Sequence, residues 1–242
     1  MSLKDLLEYR RSVRVYDNEK PIDTDKVRDC LELATLAPNS SNLQLWEFIH
    51  ITDKSYKDAI TDACLGQTAA STADQWVVFV TRQDLHRKRA QFVLNFEKGN
   101  IDRNSPVARK AKRIAVRETY YGKLMPFLYS RCFRLMGVFR WLLVTVMGWF
   151  RPVVREVTET HMRGVAHKSC ALAAQTFMLA MAEKGYDTCP MEGFDSRRVK
   201  RLLNLPNSAK INMIISCGIR KGNEGIWGER CRVPFDEVYK RI

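Results

Sequence analysis

The chain has 242 residues, 45% of them hydrophobic, which is enough to bury a substantial core. Its seven cysteines are scattered and form no Cys-x-x-Cys pair, which argues against a disulfide framework, and the four histidines lack metal-ligand spacing, so no metal site is expected. The formal net charge of +13 comes from one segment, 82–155, where 17 basic residues accompany four acidic ones.

The N-terminal third predicts two helices and two strands. The opening residues are polar and predict no signal peptide, so a cytoplasmic protein is expected. A short helix is predicted to end near residue 11. A second one runs from an Asp23 or Thr24 cap to about residue 36, with Val27, Leu31 and Ala34 on one stripe. Residues 46–51 and 76–81 predict strands.

The C-terminal third predicts two more helices and a strand. A long helix over 160–184 ends before Gly185, and Asp195 caps a helix over 196–203. A strand is predicted over 211–217. No G-x-G-x-x-G follows a strand, which disfavours a Rossmann fold.

Residues 99–159 are interpreted as a helical insertion in a single domain, 1–242. Its first half, 109–123, is basic. Its second half, 133–150, is apolar, but its longest uncharged run is ten residues, against the roughly 20 that a spanning helix needs. A helical wheel places Arg134, Arg140, Arg151 and Arg155 within an arc of roughly 120°, which predicts an amphipathic helix.

Two N-terminal motifs indicate a binding site. Arg10-Arg11-Ser12-Val13-Arg14 concentrates three guanidiniums and a hydroxyl, the donors that suit a phosphate group. The turn-rich loop over 38–46 suits hydrogen bonding to a flat heterocycle. Two further motifs follow at 189–195 and 218–234.

These four motifs, in this order, resemble the nitroreductase family of FMN enzymes. The resemblance implies an α+β fold, with a mainly antiparallel central sheet flanked by helices, in an intertwined homodimer. It also implies FMN as cofactor and NADH or NADPH as electron donor. Hydride would pass through flavin N5 to a nitroaromatic, quinone or related small-molecule acceptor in a ping-pong cycle, with no assigned catalytic acid.

The resemblance also assigns roles to residues. Arg10, Ser12, Arg230 and Arg232, with Arg11 in the same motif, correspond to the phosphate site, Arg14 to the N1/O2 edge of the flavin and Gln67 to its pyrimidine edge. Pro190, Met191, Glu192 and Gly193 correspond to the backbone near N5. Pro38, Asn39, Ser40 and Asn42 correspond to a loop contributed by the opposite subunit.

The insertion leaves alternatives open. It suits a lid or an arm that packs on the partner subunit, or a surface that rests on an anionic membrane near a lipid-soluble acceptor. Its charge also suits nonspecific polyanion binding, although no specific nucleic-acid motif accompanies it. Five of its aromatic residues suit either an acceptor pocket or simple packing; they are Phe127, Tyr129, Phe133, Phe139 and Trp141.

Overall fold

Four strands form one antiparallel sheet in the computed structural model, which describes residues 2–132 and 135–242. The spatial order is β1-β2-β4-β3. Trp46 pairs with Thr81 at one end of the β1–β2 ladder, and Asp187 pairs with Gly218 in the β3–β4 ladder. The strands are β1 (Trp46–Ile51), β2 (Gln75–Thr81), β3 (Asp187–Met191) and β4 (Lys210–Gly218).

Both faces of the sheet are covered, and the inner strand β2 is therefore buried along its whole length. Side chains alternate along a strand, so Trp76, Val78 and Val80 enter one hydrophobic cluster while Val77 and Phe79 enter another. Helices α3, α4 and α10 contribute to the first cluster, and α2 and α9 to the second. The helices are α1 (Leu3–Tyr9), α2 (Thr24–Ala34), α3 (Lys57–Ala63), α4 (Thr68–Ser71), α5 (His86–Asn104), α6 (Val107–Arg117), α7 (Met125–Tyr129), α8 (Leu135–Met147), α9 (Glu159–Glu183), α10 (Ser196–Leu202) and α11 (Phe235–Val238).

Several helix ends follow directly from local side-chain chemistry. The Asp23 carboxylate accepts the Asp25 and Lys26 amides at the start of α2, and the Asp195 carboxylate accepts two amides at the start of α10. After α9 the chain turns through Gly185 at a φ of 75°, a conformation that glycine adopts without strain.

The expected α+β class with an antiparallel sheet is confirmed, and the predicted strand over 46–51 has the observed bounds. The sequence did not predict β3, which contains Pro190 and lies at an edge of the sheet, where a missing amide is tolerated. A π-helical turn, Glu118–Leu124, interrupts the predicted basic helix and joins α6 to α7.

The predicted basic face of the apolar helix is wrong. Helix α8 ends at Met147, so Arg151 and Arg155 lie beyond it, and Arg134 and Phe133 fall outside the described residues. Arg140 is 1% exposed, and its Nη1 donates to the carbonyls of Phe127, Leu128 and Ser130 at 2.8, 2.6 and 3.0 Å. No helix in the described ranges is both long and apolar enough to cross a membrane.

Candidate functional site

The arginine-rich segment after α1 runs extended between β3 and the C-terminal residues. The Val13 amide donates to the Thr188 carbonyl at 3.2 Å, and the Arg14 amide donates to the Gly225 carbonyl at 2.9 Å. Val13 is fully buried, whereas Ser12 and Arg14 are exposed. The buried valine therefore fixes the segment and leaves the hydroxyl and the guanidinium on the opposite side.

The C-terminal residues are held against this segment by close backbone contact and by Arg230. A Cβ on Gly225 would lie 2.5 Å from the Val15 carbonyl oxygen, so a larger residue cannot fit without a shift. Arg230 donates from Nη1 to the Leu7 carbonyl at 2.7 Å, and from Nη2 to the Arg10 carbonyl at 2.6 Å. These carbonyls belong to the C-terminal end of α1, where a cation is favoured by the helix dipole.

Together the two segments form a cleft of about 490 Å³, and most of the charged residues that line it are arginines. Two glutamates also line it, and one of them, Glu224, is paired with Lys221 at 3.3 Å. The described residues contain no ion pair between the lining arginines and a carboxylate. The arginines of this cleft, called the arginine cleft below, are Arg10, Arg11, Arg14, Arg230 and Arg232.

Arg10 shows what kind of ligand the arginine cleft suits. Its Nε is buried and has no hydrogen-bond partner in the described part of the chain. Burial lowers the pKa of its guanidinium, and the nearby charges of Arg230 and Arg232 lower that pKa further. The repulsion between neighbouring cations is reduced when an anion binds among them. Guanidiniums suit phosphate in particular, because they bind its oxygens in bidentate pairs.

Gln67 and Gly193 are brought together beside the arginine cleft. Gln67 Nε2 donates to the Gly193 carbonyl at 2.6 Å and to the Cys64 carbonyl at 3.0 Å. A Cβ on Gly193 would lie 3.3 Å from that nitrogen, so the contact is already close. The next residue, Thr68, lines the arginine cleft itself, which places the Gln67–Gly193 pair at its border.

The predicted segment 190–193 has one side chain in the core, and its other residues are at least partly accessible. Met191 is 2% exposed and its side chain lies in the hydrophobic core, while Glu192 and Gly193 are exposed and Pro190 is half-buried. Just before it, burial raises the pKa of the Cys189 thiol, and the positive charge of nearby Arg14 opposes that rise. Arg14 therefore lies between the arginine cleft and β3.

The loop over 38–42 lies elsewhere in the same chain. The Ser40 amide donates to Ser169 Oγ on α9 at 3.3 Å, and the Asn39 carboxamide oxygen accepts the Gln44 amide at 2.9 Å. Ser41, Asn42 and Gln44 have positive φ angles of 54°, 51° and 48°, an unusual cluster for residues other than glycine. Within the described ranges, no hydrogen bond joins this loop to the arginine cleft.

Some lining residues were not assigned a role from the sequence. Thr68 follows Gln67 and belongs to none of the four motifs. Trp227 also lines the arginine cleft and is 93% exposed. Gly225 is part of the fourth motif, yet its role in close backbone packing depends on Val15, which lies near the opposite end of the sequence. No local pattern reports that contact.

The insertion aromatics separate into two environments. Tyr129 is 2% exposed and belongs to a hydrophobic cluster, whereas Phe139 and Trp141 are more than half exposed. Phe127 meets Phe139 edge to face at a centroid distance of 6.3 Å. Phe133 lies outside the described residues. Packing accounts for Tyr129, and none of the four described aromatic residues lines the arginine cleft.

The comparisons with known proteins agree with this fold. The model of the nitroreductase family matches residues 7–219, so the chain belongs to the nitroreductase family. It is 24% identical over 216 residues to MhqN of Bacillus subtilis, described by name as a candidate NAD(P)H nitroreductase; the match covers 89% of this chain and 87% of MhqN.

Two solved structures show the same fold. The candidate nitroreductase ydfN of Bacillus subtilis aligns with a TM-score of 0.72 at 22% identity, covering 99% of this chain and 98% of ydfN. A candidate nitroreductase from Exiguobacterium sibiricum, solved in complex with FMN, aligns with a TM-score of 0.69 at 18% identity, covering 100% of this chain and 98% of that one.

Proposed function

We propose that this chain is an FMN-dependent oxidoreductase that takes electrons from NADH or NADPH. The observation that carries the proposal is the arginine cleft, where Arg10, Arg230 and Arg232 gather without a carboxylate partner and Arg10 Nε is buried and unsatisfied. Family membership and the name of MhqN support the same activity. FMN, when bound, would supply the chemistry of hydride transfer between the nicotinamide and a second substrate.

The residues of the arginine cleft fit the FMN phosphate. Arg10, Arg230 and Arg232 supply fixed positive charge, and Ser12 is exposed on the same segment to donate a hydroxyl. A charge-assisted hydrogen bond contributes about 1.5–3 kcal/mol, so several together hold a dianion without a covalent link. Arg230 has a second role, because it also binds the end of α1.

The neighbouring residues suit the flavin ring. We propose that Arg14 lies at the N1/O2 edge, where its cation favours negative charge on the reduced ring and so favours reduction. Gln67 holds the Gly193 carbonyl at 2.6 Å and thereby fixes the segment 190–193. Because Met191 is anchored in the core, this segment offers a rigid backbone against the ring near N5.

We further propose a homodimer in which the partner contributes residues 38, 39, 40 and 42. Two observations support it. The loop over 38–42 makes no hydrogen bond to the arginine cleft of its own chain within the described residues. Beside that loop, an apolar groove lies between α1, α2 and α9, with Leu33 40% exposed and Leu36 77% exposed. A second copy covering this groove would bury those leucines.

The remaining parts of the proposal follow the sequence. We propose one FMN-binding domain over 1–242, interrupted by the insertion at 99–159, in a cytoplasmic protein. The acceptor of the hydride would be a nitroaromatic, quinone or related small molecule, bound after the oxidised nucleotide leaves. The five buried cysteines are free thiols, which agrees with a reducing compartment.

The visible absorption spectrum of the purified protein tests this function. The protein is supplied with FMN if colourless, and the spectrum is recorded anaerobically before and after NADPH, and then NADH. We expect flavin bands that bleach with at least one donor and return when a quinone is added. Bound flavin that neither donor bleaches would contradict the NAD(P)H reaction, and absence of flavin binding would contradict the cofactor assignment.

A further inference from the structure

Helix α8 presents an uncharged apolar surface to the outside. Its only charged residue, Arg140, points inward and is held by three carbonyls near the end of α7. The outward residues are apolar and spread over roughly 160° of the helix at 100° per residue. They are Leu135, Val138, Phe139, Trp141, Leu142 and Val146, each 49–67% exposed.

The apolar surface continues beyond the end of the helix. Trp149 is 73% exposed and Phe150 is 82% exposed, and only Gly148 separates them from the end of α8. Contiguous exposed apolar surface of this kind is rare on a soluble chain unless something covers it. We use the term apolar ridge for α8 together with Trp149 and Phe150.

Exposed cations border the apolar ridge at both ends. Arg131 lies before it, and Arg151 and Arg155 lie after it. Arg155 donates from Nη2 to the Gly148 carbonyl at 3.2 Å, which holds its charge next to the end of α8. None of the three forms an ion pair within the described ranges. Glu156 is the only acidic residue between 131 and 156.

We propose that the apolar ridge lies in the headgroup region of an anionic lipid bilayer. The 13-residue helix is about 20 Å long at 1.5 Å per residue, too short to cross a hydrocarbon core of about 30 Å but long enough to lie in the interface. Tryptophan favours the depth of the lipid headgroups, and both Trp141 and Trp149 are exposed on the apolar ridge. The bordering arginines match anionic lipid.

The charges favour a bilayer over a second copy of the chain as the covering partner. In a two-fold contact between two apolar ridges, the same surface meets itself, so the arginine-bordered ends of one copy approach those of the other. Like charges brought together in this way are unfavourable. An anionic bilayer offers negative charge to the arginines at both ends of the apolar ridge at the same time. If the proposed oxidoreductase function holds, on which this last step rests, the docked protein would reduce an acceptor dissolved in the bilayer.

Vesicle co-sedimentation of the purified protein tests the docking directly. The vesicles are phosphatidylcholine alone or phosphatidylcholine with phosphatidylglycerol, at low and high salt. We expect binding to the anionic vesicles that weakens with salt. Trp141→Gln/Trp149→Gln should weaken it about tenfold or more, and Arg131→Gln and Arg151→Gln about fivefold each. Phe92→Gln/Phe96→Gln is the matched control, since these α5 residues are 62% and 59% exposed.

Several outcomes would overturn the docking proposal. One is no binding to anionic vesicles at low salt, and another is equal loss in the ridge variant and the α5 control. A fall in native mass caused by the ridge variant alone would show that a second copy covers the surface instead. Brominated lipid should quench the tryptophan fluorescence of the unmodified protein, and absence of quenching would also overturn the proposal. The assay needs no electron donor, so its failure and that of the flavin assignment are distinguishable.

Discussion

At the scale of single residues, the most informative arginines are those that lack carboxylate partners. Arg220 binds Asp187 and lies over the ring of Tyr9 at 4.5 Å, so its charge serves the fold. Arg10 and Arg232 have no such acid in the described part of the chain, although both line a cleft. Residue type alone does not separate these two groups of arginines, whereas the sequence motifs single out Arg10 and Arg232, which the structure places at the cleft.

Arg232→Ala should weaken FMN binding while leaving the fold intact. The side chain is exposed, and its one hydrogen bond in the structure goes to the neighbouring Cys231 carbonyl at 2.6 Å. Loss of one solvated phosphate contact corresponds to about a tenfold weaker Kd, at the lower end of the range for charged hydrogen bonds. Titration of FMN fluorescence measures the change.

Arg201→Ala is the control for that substitution. Arg201 is an exposed arginine on α10 and does not line the arginine cleft. It removes the same charge from the chain, so a general electrostatic effect would appear in both variants. An unchanged Kd in Arg232→Ala, or an equal loss in Arg201→Ala, would show that the C-terminal phosphate assignment is wrong.

At the scale of elements, the contact between residues 225–232 and the segment after α1 shapes the arginine cleft. Gly225→Ala should displace it, because the added methyl would lie 2.5 Å from the Val15 carbonyl oxygen and 2.9 Å from Val13 Cγ1. We expect FMN binding to weaken about tenfold or more, since misplaced donors lose their hydrogen bonds. FMN titration and thermal unfolding measure the effect.

The matched substitution is Gly164→Ala in α9. A Cβ at Gly164 has no atom within 4 Å, so it fits without a shift. Alanine is favoured over glycine in a helix by up to about 1 kcal/mol, so the melting temperature should stay the same or rise. FMN binding that survives Gly225→Ala unchanged would contradict the role given to this contact.

The sequence predicted the elements whose signals are local. The strand over 46–51 alternates, the centre of β2 is uniformly apolar, and Asp23 and Asp195 sit at observed helix caps. It did not predict β3, because an aspartate and a proline carry no strand signal and the edge position is set by pairing with β4. Arg140 was placed on the wrong face, since its partners lie on a different helix.

Two of the sequence motifs meet in the arginine cleft, but their assembly was not predicted. The first and fourth motifs contain most of the residues that line the arginine cleft, and the structure brings Arg10, Arg14 and Arg230 together. The spacing of the motifs along the sequence could not show that the loop 38–42 lies apart from these arginines within one chain. The contact of Gly225 with Val15 likewise depends on tertiary packing.

At the scale of the whole molecule, stability should fall as the pH falls below about 6.5, the ordinary pKa of histidine. Burial lowers the pKa of His50, His86 and His167 in the folded protein. The unfolded chain therefore binds protons that the folded one does not, and acid favours unfolding. Between pH 7.5 and 5.5 we expect the melting temperature to drop by several degrees.

The histidine account has its own check in His50→Gln. His50 Nε2 lies 2.7 Å from Gln75 Oε1, and glutamine offers an amide group that stays neutral at every pH in this range. The variant should be less steeply pH-dependent than the unmodified protein, even if its stability at pH 7.5 is lower. A melting temperature that is flat or rises as the pH falls from 7.5 would contradict the account.

The arginine cleft joins two segments that lie far apart along the chain, and this couples ligand binding to folding. A phosphate held between residues 10–14 and 230–232 would cross-link these segments and close a loop that contains most of the polypeptide. The two segments meet only when the intervening chain has folded, so such a phosphate would bind the folded chain and not the unfolded one. A ligand with that selectivity stabilises the folded state in proportion to its concentration, so the melting temperature should rise as the ligand is added.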